Sequence, residues 1–466
     1  MVEHQLTCRN SMILPSTEDN IVIDTTMTLL EFKEAIRSLF QIKKRDKFVI
    51  FIKINKKWHK IKQDLENYPI NKNSKIEIRR HTSTNKIREL RKTITVLDHL
   101  DIPPGTITVD DIDPEKTRLR LVESARDFLE QVIQDPYNAS FQIPSRSTGN
   151  IGFDEKTEMV LLGRQMIDRQ FRSLASVKSV SQMALAMRLI HDLLHREITS
   201  TKRDLFYMDV NKFESQNTSD SLIEDVGAML KVTRQSLNVS ASSKGSIIGN
   251  ISYKEKGDLI DCRKVGTGKS IAPKIGDIED LESDAEFVLV IEKDAVFNRL
   301  AEDQFYDQIP SVLITAKGQP DMATRMFLKR INDELKIPIL AMMDADIYGV
   351  EIMRVYTIGS KSLSFETSHM AVPNIKWIGL LPSDLKEDSP FKIPRSALIK
   401  MTSSDVNRTK SILQEEYIAR KPSWKKELEI LLELNYKAEI QALNAKDPQY
   451  ITNHYLPAKL EAGDWI

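Results

Sequence analysis

The chain has 466 residues, with 67 Lys plus Arg balanced by 67 Asp plus Glu, 41% hydrophobic and 29% charged residues. At about 150 residues per domain this is a chain of about three domains, and the composition excludes a wholly disordered, collagen-like or coiled-coil protein. Two cysteines, Cys8 and Cys262, exclude a disulfide framework and a cysteine zinc cage, and no apolar run approaches the roughly 20 residues of a membrane span. The first residues lack a charged leader followed by an apolar core, so an intracellular, soluble chain is expected.

In chain order, residues 5–14 and 20–25 read as strands. Residues 28–40 read as a helix, because Leu29, Leu30, Phe32, Ala35, Ile36, Leu39 and Phe40 recur at helical spacing. Residues 48–54 and 75–79 alternate as strands do. This order over residues 1–98 resembles a ubiquitin-like β-grasp module. Gln41 to Lys92 holds 17 Lys/Arg against 5 Asp/Glu, a basic block suited to nucleic acid, to an acidic partner or to a solvated face. Residues 99–117, with Pro103, Pro104, Gly105 and Pro114, read as a linker. Residues 118–135 predict an amphipathic helix with Val122, Ala125, Leu129 and Val132 on one stripe, packed on its own domain or on a partner chain.

Residues 150–255 predict helices over 181–198, 201–210 and 219–230. Strands over 237–240 and 246–253 follow, joined through Ser243-Lys244-Gly245. Three helices and a hairpin is the order of a winged helix. Residues 256–280 are polar and glycine-containing, a second linker. From 281 to 466, apolar strands at 287–291, 311–315 and 338–343 alternate with helices such as 322–335, which predicts a parallel α/β sheet.

Two of these strands end in acids: Phe287–Ile291 runs into Glu292-Lys293-Asp294, and the strand ending at Met343 runs into Asp344-Ala345-Asp346. In open α/β sheets ligands sit beyond the carboxyl ends of the strands, and oxygen-only ligands suit magnesium or manganese. Elsewhere, Tyr207 closes the run Thr201-Lys202-Arg203-Asp204-Leu205-Phe206-Tyr207. Beside two cations it reads either as a packing residue or as a nucleophile with a phosphate held nearby. His191-Asp-Leu-Leu-His195 has the spacing of a zinc protease but lacks its glutamate, and Gly266-Thr-Gly-Lys269-Ser270 lacks the leading glycine of a phosphate loop.

From about residue 119 to Ile466 the chain resembles the meiotic double-strand-break DNA transesterases, related to the A subunit of type IIB topoisomerase VI. The carriers are Thr201–Tyr207, Met229-Leu-Lys-Val232, Ser243-Lys-Gly245, Val290-Ile-Glu-Lys-Asp294, Asp344-Ala-Asp346, Ser364-Phe-Glu366, Gly379-Leu-Leu-Pro-Ser-Asp384 and Trp465-Ile466. Trp377 to Leu385 and Lys437 to Leu443 suggest the meiotic branch. Ala316 stands where a glycine is usual, Ile347 where a proline is usual, and Phe206 where many members carry a first tyrosine.

The resemblance implies a multidomain α+β and α/β protein: the β-grasp module at 1–98, a linker at 99–117, a partner-binding helix at 118–135, a winged-helix domain at 150–255, a linker at 256–280 and a Toprim domain at 281–466. It implies that Tyr207 attacks DNA and keeps the 5′ phosphate, with Arg203 and Lys202 neutralising charge. Glu292, Asp344 and Asp346 would hold Mg²⁺, which Mn²⁺ can replace, and Glu292 would alternatively act as general acid/base. Lys244, Lys293 and Lys317 would contact DNA. Val122, Leu129 and Val132 would meet a topoisomerase VI B-like subunit. The implied setting is the nucleus, with a homodimer on double-stranded DNA, no membrane, and an extra partner or second DNA contact for the N-terminal module. Its rivals are the A subunit of an ATP-dependent topoisomerase VI and a catalytically silent DNA-binding scaffold.

Overall fold

The computed structural model describes residues 3–12, 16–44, 47–54, 57–96, 102–172, 174–240 and 243–466. At the N-terminus Thr28 and Glu31 form a capping box that starts the helix Leu29–Leu39. The helix buries Phe32 and Ile36 against Ile50, Ile52, Ile76 and Ile78 of a five-stranded sheet. Its strands are Glu3–Asn10, Thr17–Asp24, Phe48–Ile54, Lys57–Lys60 and Lys75–Arg80. Spatially the second lies at one edge, followed by the first, fifth, third and fourth, and the first and fifth run parallel. The strand expected over 5–14 stops at Asn10, and residues 13–14 of that reading lie outside the described residues. Because side chains alternate across a strand, Phe51, Glu77 and Arg79 face away from the helix. That second face is covered by the C-terminal half of the chain. Arg79 is fully buried, donating to the Asp303 carbonyl at 2.6 Å and pairing with Glu77 at 3.1 Å.

The second body corrects four readings. The stretch assigned to a linker and then to a helix from 118 is helical from Pro114, because Asp113 caps Lys116 N–H and proline suits the first helical turn. Residues 155–255 read as mostly helical ahead of the hairpin, yet they open with the strands Met159–Gly163 and Met166–Gln170, and Ile151–Asp154 is a further strand just before them. Met166–Gln170 pairs with Ser140–Pro144. The helices Leu174–His195, Lys202–Met208 and Gln216–Leu230 form as expected and share one core with Phe141 and Ile143. The hairpin through Ser243-Lys244-Gly245 does not form. Val239–Ser240 pairs instead with Ser200–Thr201, and Ser246–Gly249 joins the C-terminal sheet. The strand expected over 246–253 breaks at Gly249, where φ is +117° and a Cβ would lie 2.4 Å from the Ser311 carbonyl oxygen.

The C-terminal body is a six-stranded sheet. Phe287–Ile291, Ser311–Thr315, Ile339–Met342 and Lys376–Gly379 are its parallel strands, extended by Ser246–Gly249 and Lys269–Ser270. Val288 and Val290 point into one core with the helices Met322–Leu335 and Ile347–Thr357. Phe287, Leu289 and Ile291 point into another with the helix Asp294–Glu302. Burial on both faces explains why this strand is apolar throughout rather than alternating. The stretch expected to be a linker, 256–280, is built into the fold: it contributes Asp258–Asp261 and Lys269–Ser270, and Cys262 and Ile271 are buried. The terminal Ile466 pairs with Trp377 through both backbone bonds, at 2.8 and 3.0 Å. Among the described residues no helix is long and apolar enough to cross a membrane.

Candidate active site

The acids sit where the parallel strands end. Glu292 follows the central strand, and its Oε2 accepts the Asp344 N–H at 2.8 Å. Asp344 Oδ1 accepts the Ile440 N–H at 2.9 Å, and its Oδ2 pairs with Lys293 at 3.0 Å. Asp346 caps the helix Ile347–Thr357 by accepting the Gly349 N–H at 2.8 Å. Gly349 is required there, because a Cβ would lie 2.4 Å from the Asp344 carbonyl oxygen. Ile347, in the place of the usual proline, is a fully buried first helical residue. Burial pushes Glu292 up to about 7, with Asp344 and Asp346 adding like charge. Burial raises Asp344 and Asp346 as well.

Among the described residues no three carboxylate, histidine or cysteine side chains stand together as ready metal ligands. The reason is local: Glu292 is turned to a backbone amide, Asp344 to Lys293, and Asp346 to its own helix. The donor set still fits a hard divalent cation. All three groups offer carboxylate oxygen, and a concentration of buried acids held above their ordinary values is short of positive charge.

Tyr207 lies on the helix Lys202–Met208 and is 60% exposed. The Arg203 guanidinium carbon stands 5.9 Å from its ring centroid. No hydrogen bond among the described residues engages its hydroxyl. The helix begins at Thr201, whose side chain forms a capping box with Asp204. Lys202 faces inward and pairs with Glu224, which Arg146 also holds. Arg146 and Arg169 both bind Asp225. A second buried contact ties this bundle to the sheet domain, with the Arg234 N–H donating to Glu366. Burial pushes Glu366 up to about 7, only partly offset by the charge of Arg234.

The remaining sequence-predicted residues are spread apart. Lys244 is exposed, and its backbone N–H reaches Asp321 at 3.3 Å. Lys293 is bridged between Asp344 and Glu439, the latter at 2.8 Å. Lys317 is exposed in a left-handed turn, with its amine 3.6 Å from Asp294. Leu129 is exposed on its helix, and Val122 and Val132 are half-buried. Sequence reasoning missed the roles of Glu439 and Ile440, which reach the acids from about 100 residues downstream. It also missed the Arg146–Glu224–Asp225–Arg169 network. The motif from Lys437 to Leu443 marked the first stretch without giving it a task, and nothing in the sequence marked the second.

A family model for the Toprim domain of the topoisomerase 6 A subunit and Spo11 matches residues 287–460, and one described as "Type IIB DNA topoisomerase" matches residues 178–239. The chain is 43% identical over 328 residues to the A subunit of DNA topoisomerase 6 from Arabidopsis thaliana, covering 70% of this chain and 76% of that protein. It is 40% identical over 351 residues to a meiotic recombination protein SPO11 of Mus musculus, covering 72% and 87%. It is 35% identical over 383 residues to the A subunit of a type 2 DNA topoisomerase 6 from Hyperthermus butylicus, covering 77% and 98%. Toprim domains in general bind divalent metal, consistent with the oxygen donors at the strand ends. With a Toprim match over residues 287–460, a type IIB match over 178–239 and relatives at 35–43% identity, the chain belongs to the family formed by Spo11 and the topoisomerase 6 A subunits.

Proposed function

We propose that this protein is a DNA transesterase that makes double-strand breaks through a 5′-phosphotyrosyl intermediate and thereby initiates meiotic recombination. The observation that carries the reading is Tyr207: exposed, unengaged, under Arg203, on a short capped helix in a chain that also carries the Toprim acids. The Tyr207 hydroxyl releases its proton as its oxygen bonds to phosphorus and the bond from phosphorus to the 3′ oxygen breaks, and the released 3′ oxygen takes up one proton, so charge and protons balance. One phosphodiester replaces another, so no nucleotide is consumed. Arg203 neutralises charge developing on the phosphate oxygens. Lys202, paired with Glu224, positions the helix. As the alternative to holding metal, Glu292, raised to about 7 by burial, would serve as general acid at the leaving oxygen. Asp344 and Asp346 would hold Mg²⁺, with Glu292 as third ligand when it is not the general acid, and the metal supplies Lewis-acid stabilisation of the phosphate when bound.

The helices around Tyr207, with the strand pair Ser140–Pro144 and Met166–Gln170, support a winged-helix reading whose strands come before the helices. The strand order at residues 1–98 supports the β-grasp reading. Nuclear double-stranded DNA, a homodimer and a B-like subunit complete the proposal. The plant topoisomerase relative at 43% identity, beside 40% for the mouse SPO11, supports a second reading equally: the A subunit of an ATP-dependent topoisomerase VI. In the test, labelled duplex is incubated with the protein, Mg²⁺ or Mn²⁺ and a B-like subunit, then stopped with SDS. Label on wild type and none on Tyr207→Phe is expected. Equal labelling of both would refute Tyr207 as nucleophile. ATP-dependent relaxation by the same mixture would establish the topoisomerase.

A further inference from the structure

The N-terminal module is fixed to the end of the sheet opposite the acids. Arg88 pairs with Glu286, just before the central strand, at 2.6 Å. Lys60 donates to the Gln308 carbonyl, ahead of Ser311–Thr315, at 3.1 Å. Arg91 donates to the Leu335 and Lys336 carbonyls, ahead of Ile339–Met342. Asn374, ahead of Lys376–Gly379, donates to the Thr95 carbonyl at 3.2 Å. All four contacts lie at the amino ends of the parallel strands, whereas Glu292, Asp344 and Asp346 lie at their carboxyl ends. Strands of four and five residues put roughly 13–16 Å of sheet between the two levels.

This docking creates a cleft of about 920 Å³ between the module and the sheet domain. Lys47, Lys60, Arg80, His81 and Arg88 line it, all from the basic block, against the two carboxylates Glu286 and Glu461. Those carboxylates pair with Arg88 and Arg80. Among the described residues no carboxylate pairs with Lys47 or His81. Four Lys/Arg side chains against two carboxylates, with Lys47 left without an acidic partner among the described residues, make the cleft attractive to anionic oxygen. Burial holds Lys60 below its ordinary value, with Lys62 adding like charge and Asp307 opposing it.

We propose that this cleft binds the phosphate backbone of double-stranded DNA at a second site, so that one chain holds a duplex at the strand end opposite its cleavage site. This rests on the transesterase reading only in its choice of polyanion. A chain whose substrate is long duplex DNA meets that polyanion at high local concentration. The module then holds DNA next to the break without touching the scissile phosphate. A basic surplus that catalysis does not use is thereby given a task.

The test uses the full chain carrying Tyr207→Phe, so that no covalent trapping occurs. An immobilised duplex is loaded with protein, and capture of a second, labelled duplex is measured across a salt series. Capture is expected, and Lys47→Glu with His81→Glu should reduce it by at least about tenfold. Exposed Lys72→Glu, outside the cleft, is the control. In the Tyr207 background the Lys47/His81 variant should retain wild-type covalent labelling, which separates failure of this site from failure of the cleavage reading. Equal second-duplex capture by the variant and its parent would overturn the proposal. So would loss of labelling together with capture, or retention on heparin or phosphoinositide vesicles without second-duplex capture.

Discussion

Asp344 is held in place by atoms that belong to other parts of the chain. Its carbonyl presses on Gly349, its carboxylate takes the Ile440 N–H, and its second oxygen meets Lys293. Gly349→Ala puts a methyl group 2.4 Å from the Asp344 carbonyl oxygen, so the acid loop must shift. The expected cost is about 1–3 kcal/mol in denaturant unfolding, with a loss of metal-dependent labelling of about tenfold or more. A variant that keeps full labelling would show that the loop tolerates the displacement. Glu366 makes a separate prediction. Its carboxyl is raised from 4.5 to about 7, so the folded chain keeps a proton that the unfolded chain releases. Stability from this group therefore falls as pH rises from about 4.5 to 7 and is level above that. Glu366→Gln should remove this component, on the order of 3 kcal/mol, from the pH dependence of unfolding. Parallel curves for the two proteins would refute it.

The helix Pro114–Gln134 shows how one element serves two surfaces. Thr117 and Leu121 are buried, and Phe128 stacks on Phe141 at a centroid distance of 4.1 Å. On the other side Leu129 is 59% and Ile133 82% exposed. The inner face decides folding, and the outer apolar face is free for a partner. Leu129→Asp with Ile133→Asp should change unfolding free energy by no more than about 0.5 kcal/mol each, and should abolish co-purification with a B-like subunit. Unchanged co-purification would move the partner surface elsewhere. The stripe read from sequence included Val132, which is half-buried, and omitted Ile133. Periodicity finds an apolar stripe but does not say which part of it the domain itself covers.

Across the whole molecule, Tyr207 belongs to the helical body and the acids to the sheet body, and no contact among the described residues joins the hydroxyl to the acids. The homodimer proposed above would let the tyrosine of one chain work at the acids of the other. Mixing Tyr207→Phe protein with Glu292→Ala protein should then yield single-strand nicks, seen as nicked circles on a gel. Absence of nicks, with both variants folded and bound to DNA, would place the whole site within one chain. The tyrosine motif, the two acid-ended strands and the helix Met322–Leu335 were legible in the sequence because each is a local pattern of spacing, apolar run or cap. The expected hairpin was also a local pattern, and it failed for a tertiary reason: Ser246–Gly249 gains more by completing a buried sheet beside Ser311–Thr315 than by pairing with its neighbour in sequence. The same holds for 256–280, whose polar composition hid Cys262 and Ile271 in the core. By itself, the sequence determined the chemistry available to this protein, since side-chain identity and local periodicity are written residue by residue. Only the tertiary structure decided where that chemistry is aimed. The engagement of Lys202 by Glu224, of Asp344 by Ile440, and of the basic module by the far end of the sheet all depend on contacts between residues that no local pattern relates.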